Sequence, residues 1–437
     1  MRTKNTSEKK PFLQLNPRHN PYILFKKSIK CFGFWLKTVR TNLKVALVSH
    51  EFPPSIVGGI GTHCYDLACS LSAKGIETKV LCGTNSKRGQ RIKINSSLEV
   101  IRLPYLDFPP RYFWFQLQNC KKLRDLTSDC NIIHGVNPTA SFGLALNNGH
   151  SKKALITTHH LNELLLLKMS MYMPPSEMSV GDLLTNVLSY PLDDCMERLW
   201  FRKADRIIVP GTSTFEFMQH VFPCRITRKI SVVPNGINFE KIAALSLDSQ
   251  DDVEPELSVV CFSRLVSLKG IAQFLSRSKP LFSDFPSLRL KIFGKGPLYP
   301  TLVKLLRRNS LSKNVTLMGH VTYSDLIRQV SKATVAVFPT FLEIGPFISA
   351  LEAMACKRPV IAFDFSFNRE FIKHMETGIL ALPGDMNDLV DKTKLLLSDE
   401  SLRAKIGENA QKYVRENHNW HTLANKYIEI YEKTLSR

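Results

Sequence analysis

Four charged side chains in this 437-residue sequence stand near the ends of apolar runs, where they could hold a charged, hydroxylated ligand. Glu343 and Glu352 flank a loop containing Gly345 and Pro346. Before them, Ala333–Phe338 (ATVAVF) is short, β-branched and without alternation, as expected of a buried parallel strand. After them, Phe347, Ile348, Leu351, Met354 and Ala355 recur at helical spacing. A helix starting near Phe347 aims free amides and the positive end of its dipole at the strand's carboxyl end, which favours phosphate. Carboxylates repel phosphate but accept hydrogen bonds from sugar hydroxyls, so the pairing points to a phosphorylated sugar. Arg264 and Lys269 follow a second apolar run, Leu257–Phe262 (LSVVCF), in the loop Ser263–Gly270 (SRLVSLKG). Arginine offers a planar fork and lysine a mobile point charge, and together they suit a diphosphate. Taken alone, the same two residues read as solvated surface charges.

The elements that would position these groups alternate strand and helix. Lys44–Ser49 (KVALVS) reads as a first strand and His50–Gly61 (HEFPPSIVGGIG) as a glycine-rich loop entering a helix that runs through Ala73. Gly58 and Gly59 let the backbone approach a ligand that any Cβ would obstruct. Thr78–Cys82, Asn131–His134 and Ala154–Thr158 read as further strands, the last ending in His159 and His160. A histidine at a strand's carboxyl end can reach a cleft, although a lone one is more often structural. Leu290–Gly296, Val315–Gly319 and Pro359–Phe363 repeat the strand rhythm, and Trp420, Leu423, Ala424, Tyr427, Ile428, Ile430 and Tyr431 follow a helical one.

The stretch from Glu343 to Glu352 resembles the E-x7-E signature of the family 4 retaining glycosyltransferases, with eight intervening residues in place of seven. Strict spacing would place Ile344 first; a bulge would leave Glu343 there. Pro53-Pro54 with Gly58-Gly59 is similar to that family's opening P-P-x-x-G-G, with three intervening residues in place of two, and Arg264 to Gly270 to its R-x4-K-G. Both Thr157-Thr158-His159 and Thr158-His159-His160 fit its T-x-H. The resemblance spans about residues 45–435. It implies an α/β protein of GT-B fold, two Rossmann-like doubly wound domains facing a cleft, that transfers a sugar from a nucleotide-sugar donor to a hydroxyl acceptor with retention. It implies that Glu343 contacts the donor sugar and Glu352 the ribose, and that Arg264 and Lys269 bind the diphosphate. Gly58, Gly59, Gly345, Phe347 and Ile348 would then line the donor site, with His159 or His160 at the cleft. No cofactor or metal is implied, and the departing phosphate takes the acceptor's proton.

The resemblance divides the chain into a basic tail (1–43), an acceptor-side domain (44–245) and an acidic linker (246–256). A nucleotide-sugar domain (257–417) and a returning carboxyl-terminal helix (418–437) follow. Ten scattered cysteines without a C-x-x-C pair argue against a zinc site or a disulfide framework and fit a cytoplasmic home. No window holds eighteen uninterrupted apolar residues, which argues against a spanning helix. The net charge of +21 calls for an anionic partner, and residues 1–44 hold eleven basic side chains against Glu8 alone, a net of +10. Phe25, Ile29, Phe32, Leu36 and Val39 form an apolar stripe among lysines, the pattern of a helix lying on an anionic membrane face or docked on the protein's own surface. A lipid, lipid-linked or glycan acceptor is expected; nucleic acid is not, because no RNA-binding aromatic motif interleaves with the basic run. Two greasy inserts, Tyr105–Phe115 and Leu161–Pro175, pack in the core or present a lipid or partner site. A nucleotide-sugar epimerase, which would need no acceptor, and a noncatalytic binding protein are the rival readings.

Overall fold

The computed structural model describes residues 43–436 except 55–58, 109–110, 138–140, 142, 145–152, 161–166, 168–188, 248–256 and 344. The expected tail helix at 22–40, Gly58, Ile344 and nearly all of the insert Leu161–Pro175 lie outside the described residues.

Two sheets form the frame. The first runs in the order β3-β4-β2-β1-β5-β6-β7-β8 and the second in the order β11-β10-β9-β12-β13-β14. In the first sheet β1 (Lys44–Ser49), β2 (Glu77–Thr84), β4 (Leu98–Pro104), β5 (Ile132–Gly135), β6 (Ala154–Thr158), β7 (Arg206–Val209) and β8 (Ile230–Val232) are parallel, and only β3 (Gln90–Lys93) is antiparallel. The second sheet, β9 (Ser258–Phe262), β10 (Arg289–Phe293), β11 (Val315–Gly319), β12 (Val335–Phe338), β13 (Val360–Phe363) and β14 (Ile379–Ala381), is parallel throughout. Continuous apolar runs with both faces covered account for this: every residue of β6, β9, β12 and β13 is buried. Each sheet reverses its strand order beside its first strand, and in such sheets the crevice outside the carboxyl ends is where ligands bind.

Strands β3 and β4 are not among those expected from the sequence. Arg91 on β3 pairs with Glu99 on β4 at 2.6 Å, and β4 lies against β2 in the interior of the sheet. The insert Tyr105–Phe115 is part core and part surface. Phe115 is fully buried and Tyr112 nearly so, whereas Leu106 and Phe108 are about half exposed.

The helix Trp420–Leu435 belongs to the first domain's core. Trp420, Leu423, Tyr427, Ile428 and Tyr431 pack with residues of β1, β2, β5 and β6 and of the helix Gly59–Ala73. Where the chain returns, Ile237 N–H donates to the His418 carbonyl at 2.8 Å and Trp420 N–H to the Ile237 carbonyl at 3.1 Å.

Candidate active site

The corner that holds Glu343 and Glu352 begins where β12 ends. Gly345 takes φ +66°, and a Cβ there would stand 2.9 Å from the Pro210 carbonyl oxygen of the first domain, so this turn needs glycine. Asn235 Nδ2 donates to the Pro346 carbonyl at 3.0 Å, a second tie across the domains. Phe347 caps the helix Ile348–Ala355 through its backbone, without a side-chain bond to the helix amides. Its ring packs edge-on against Phe338 at 5.2 Å and Phe371 at 5.5 Å, so Phe347 can offer a ligand only main-chain groups. Gly59 opens the helix Gly59–Ala73, and a Cβ on it would lie 3.7 Å from Ile348 Cδ1. The first domain's glycine turn therefore abuts the amide end of the second domain's helix.

Arg264 and Lys269 sit on the loop after β9. Gly270 takes φ +67°, and a Cβ there would fall 1.9 Å from the Pro339 carbonyl oxygen, so only glycine lets this loop press on the one after β12. Phe341 N–H reaches the Leu268 carbonyl at 2.9 Å, which joins the two loops. The result is an ion pair between Lys269 and Glu343, whose side chains are 14% and 23% exposed. Arg264 is exposed, as a solvated charge would be; Lys269 is not. Burial and the nearby guanidinium of Arg264 lower the Lys269 ammonium to about 7. The Glu343 carboxylate against it opposes that shift and favours the charged ammonium.

Glu352, one turn into the helix, is buried and shares a hydrogen bond with the Tyr323 hydroxyl. Lys241 Nζ lies 4.7 Å from the centre of the Tyr323 ring. Burial raises the Glu352 carboxyl to about 7; the bond to Tyr323 and the charge of Lys241 pull it down, and the field of Asp66 pushes it up. Asp66 of the helix Gly59–Ala73 is likewise raised to about 7 by burial, against the pull of Lys241. Tyr323, Lys241 and Asp66 escaped the sequence reading, since they meet Glu352 only through the tertiary fold and lie outside the glycosyltransferase motifs.

The two histidines part company. His159 is fully buried, edge-on to Phe201 at 5.0 Å and with Nδ1 3.2 Å from Glu197 Oε1. Burial lowers its pKa to about 3. The expectation that His159 could serve at the cleft is thereby corrected, because a side chain with no exposed surface cannot touch a substrate. His160 keeps partial exposure, stands edge-on to His63 at 4.4 Å, and has a buried Nε2 with no hydrogen-bond partner among the described residues. His63 in turn meets Trp420 at 4.9 Å and the Tyr427 hydroxyl, 3.2 Å from its Nε2. Behind them His134 is held from both sides, by Tyr431 at 2.7 Å and Thr158 at 2.8 Å. Burial lowers His134 to about 3 and His160 to about 4, so both are neutral at physiological pH.

Another cross-domain contact lies close by. Glu370 of the second domain accepts from Thr212 N–H at 2.9 Å and Ser213 N–H at 2.8 Å, at the start of the first-domain helix Thr212–Val221. A carboxylate at a helix amino terminus satisfies free amides and meets the positive dipole end.

Two doubly wound parallel-sheet domains that face each other across such a corner define the GT-B class of fold. The structure shares it with sucrose-phosphate synthase from Thermosynechococcus elongatus (TM-score 0.74, 20% identity, 90% of this chain and all of that one). Anabaena HepE, solved in complex with UDP and glucose, shares it too (TM-score 0.65, 17% identity, 89% of this chain and 99% of that one). In sequence, an uncharacterized glycosyltransferase of Methanocaldococcus jannaschii is 28% identical over 407 residues, 89% of this chain and 98% of its own. Glycogen synthase of Mycobacterium tuberculosis is 21% identical over 411 residues, 89% of this chain and 94% of its own. Residues 57–241 match the family described as Glycosyltransferase Family 4, and residues 248–413 the one described as Glycosyl transferases group 1. The chain belongs to the family 4 glycosyltransferases of GT-B fold.

Proposed function

We propose that this glycosyltransferase takes its sugar from a nucleotide-sugar donor and passes it, with retention at the anomeric carbon, to a hydroxyl acceptor. The observation that carries the reading is the donor-side corner: Lys269 and Arg264, the amide end of the helix Ile348–Ala355, and the carboxylates Glu343 and Glu352. As the bond to the sugar breaks, negative charge gathers on the leaving nucleoside diphosphate. Arg264, Lys269 and the helix amides are donors already in position for it, and such preorganised groups lower a barrier more than mobile water does. Glu352 accepts from ribose and Glu343 from the donor sugar. His160 stands on the acceptor side with an unpartnered ring nitrogen, and the departing phosphate takes the acceptor's proton. The reading calls for no metal. Anabaena HepE, which shares the fold, is solved with UDP and with UDP-glucose, which supports a nucleotide-sugar donor.

The acceptor we infer is a lipid, lipid-linked or glycan hydroxyl held near an anionic cytoplasmic membrane face by residues 22–40. The motivation is their apolar stripe among lysines. Vesicle co-sedimentation of the intact chain and of one lacking residues 1–42 tests this part, and equal binding by both removes it.

The experiment for the activity is a thermal-shift screen against UDP-, GDP-, ADP- and dTDP-sugars, because a ligand bound only by the native state raises its melting temperature. Transfer from the stabilising donor is then followed by NMR at the anomeric carbon. Inversion, or conversion of the donor sugar without any acceptor, would overturn the reading.

A further inference from the structure

In the structure, Lys269 and Glu343 are held by each other. Their side chains are mostly buried, and the contact closes between two loops already joined by Phe341 N–H to Leu268 and by the fit of Gly270 against Pro339. A diphosphate that takes Lys269 competes with Glu343 for the one ammonium that neutralises it. The carboxylate left behind then sits beside an anion, in a corner where little water reaches it.

We propose that Glu343 makes the sugar itself a condition of tight donor binding, so that the enzyme holds a nucleotide sugar firmly and the bare nucleoside diphosphate weakly. The inference rests on the reading of this corner as the donor site and adds a specificity role to it. When a nucleotide sugar binds, its phosphates take Lys269 and its hydroxyls give Glu343 new donors, so no buried group is stranded. When the nucleoside diphosphate alone is present, Glu343 loses Lys269 and gains nothing. Stranding a buried acceptor weakens binding by about tenfold or more, and a charged one costs most. The same asymmetry acts at the end of each turnover. Once the sugar has left for the acceptor, Glu343 recovers Lys269 and displaces the product.

The structural facts separate this from a general repulsion of anions. The effect passes through one lysine, so removing Lys269 must erase it. A carboxylate acting only through its field would weaken every anion whether or not Lys269 were present.

The test is isothermal titration of pyrophosphate, whose binding is independent of the base, into the intact protein, Glu343→Gln, Lys269→Met and the double variant. The nucleotide and nucleotide sugar that stabilise the protein most in the donor screen are titrated alongside. Melting temperatures within a few degrees establish that each variant is folded; Glu343→Ala replaces Glu343→Gln should the latter fail. The expected result is that Glu343→Gln binds pyrophosphate and the bare nucleotide about tenfold tighter or more. It also loses preference for the sugar-bearing form, and Lys269→Met abolishes the gain. Unchanged or weaker pyrophosphate binding in folded Glu343→Gln would overturn the proposal, as would a gain that survives Lys269→Met. Absence of transfer from every donor, with the pyrophosphate gain intact, would sink the proposed function and leave the Glu343–Lys269 exchange standing.

Discussion

The two walls of the cleft are built on different physical principles. The proposed donor wall is made of charges that burial pushes toward neutrality: it draws Lys269, Glu352 and, from the opposite domain, Asp66 to about 7, and at Lys269 the Glu343 carboxylate works against that shift. The proposed acceptor wall is made of rings and hydroxyls kept neutral: His160, lowered to about 4, faces the cleft, and the fully buried His134, lowered to about 3, backs it. Tyr427 and Tyr431 brace it from the carboxyl-terminal helix. One wall can answer to an arriving anion, whereas the other offers a fixed surface. Substitutions on the donor wall should therefore alter chemistry and pH dependence, and most of those on the acceptor wall should alter stability.

The strongest way to break this contrast is at the diphosphate. Lys269→Ala or Arg264→Ala should lower turnover roughly 10²–10³-fold, the usual loss when one preorganised donor is removed. Arg264→Ala should leave the melting temperature nearly unchanged because its charge is exposed. Lys269→Ala should lower it slightly, because Glu343 loses its partner. Normal steady-state kinetics in the double variant would refute the assignment.

The histidines sharpen the contrast within a single dipeptide. His160→Ala should lower turnover with little effect on folding. His159→Ala should open a cavity beside Phe201 and destabilise the fold by roughly 2–4 kcal/mol, with chemistry spared in what remains folded. Denaturant melts and single-turnover rates on both variants separate the two, and the reverse pattern would return His159 to the cleft.

Glu352 gives a third test, because function and stability should move in opposite directions. Its folded-state pKa is raised from 4.5 to about 7, so the folded chain binds a proton more tightly than the unfolded chain. Stability therefore falls as pH rises through that window, and the penalty is fully present above about 7. Glu352→Gln should recover on the order of 2–3 kcal/mol at pH 8 and almost nothing at pH 4. Donor affinity should fall, because a neutral amide accepts from ribose less strongly than a carboxylate. It should also lose its decline on the acid side of pH 7. Equal melting temperatures of the two proteins at pH 8 would mean that Glu352 carries no buried charge.

The smallest effect belongs to the bracing. Tyr431→Phe removes the hydroxyl 2.7 Å from His134 and should cost about 1 kcal/mol, read by chemical denaturation, with transfer unchanged.

The donor wall was largely legible in the sequence because local rules write it. A β-branched run, a glycine at a forced turn and helical spacing afterwards are all set by neighbours in the chain, and they place Glu343, Arg264 and Lys269 in loops after strands and Glu352 on the helix that follows. The pairing of Lys269 with Glu343 was not legible, since two loops 70 residues apart must first be pressed together at Gly270 and Pro339. The strand β6 ends at Thr158, and nothing local says which of two successive histidines turns outward. Phe201 and Glu197 on a distant helix decide it. The hairpin β3-β4 went unread because Arg91 and Glu99 meet only across it. Tyr323 and Lys241 reach Glu352 from helices distant in sequence, and Asp66 and Glu370 act across the domain boundary, so spacing carries no information about any of them.

The carboxyl-terminal helix has a consequence for how the protein is made. The first domain is not contiguous: residues 43–236 lack the Trp420, Tyr427 and Tyr431 that complete its core, and the helix Phe239–Leu247 already packs with the second domain. On the ribosome, at roughly 5–20 residues per second, residues 237–419 must be synthesised first, so an unfinished hydrophobic surface stays open for roughly 10–35 seconds. The second domain, whose core is contiguous in sequence, can fold during that interval. Assembly thus proceeds from the middle outward, and the acceptor wall is the last part of the cleft to close.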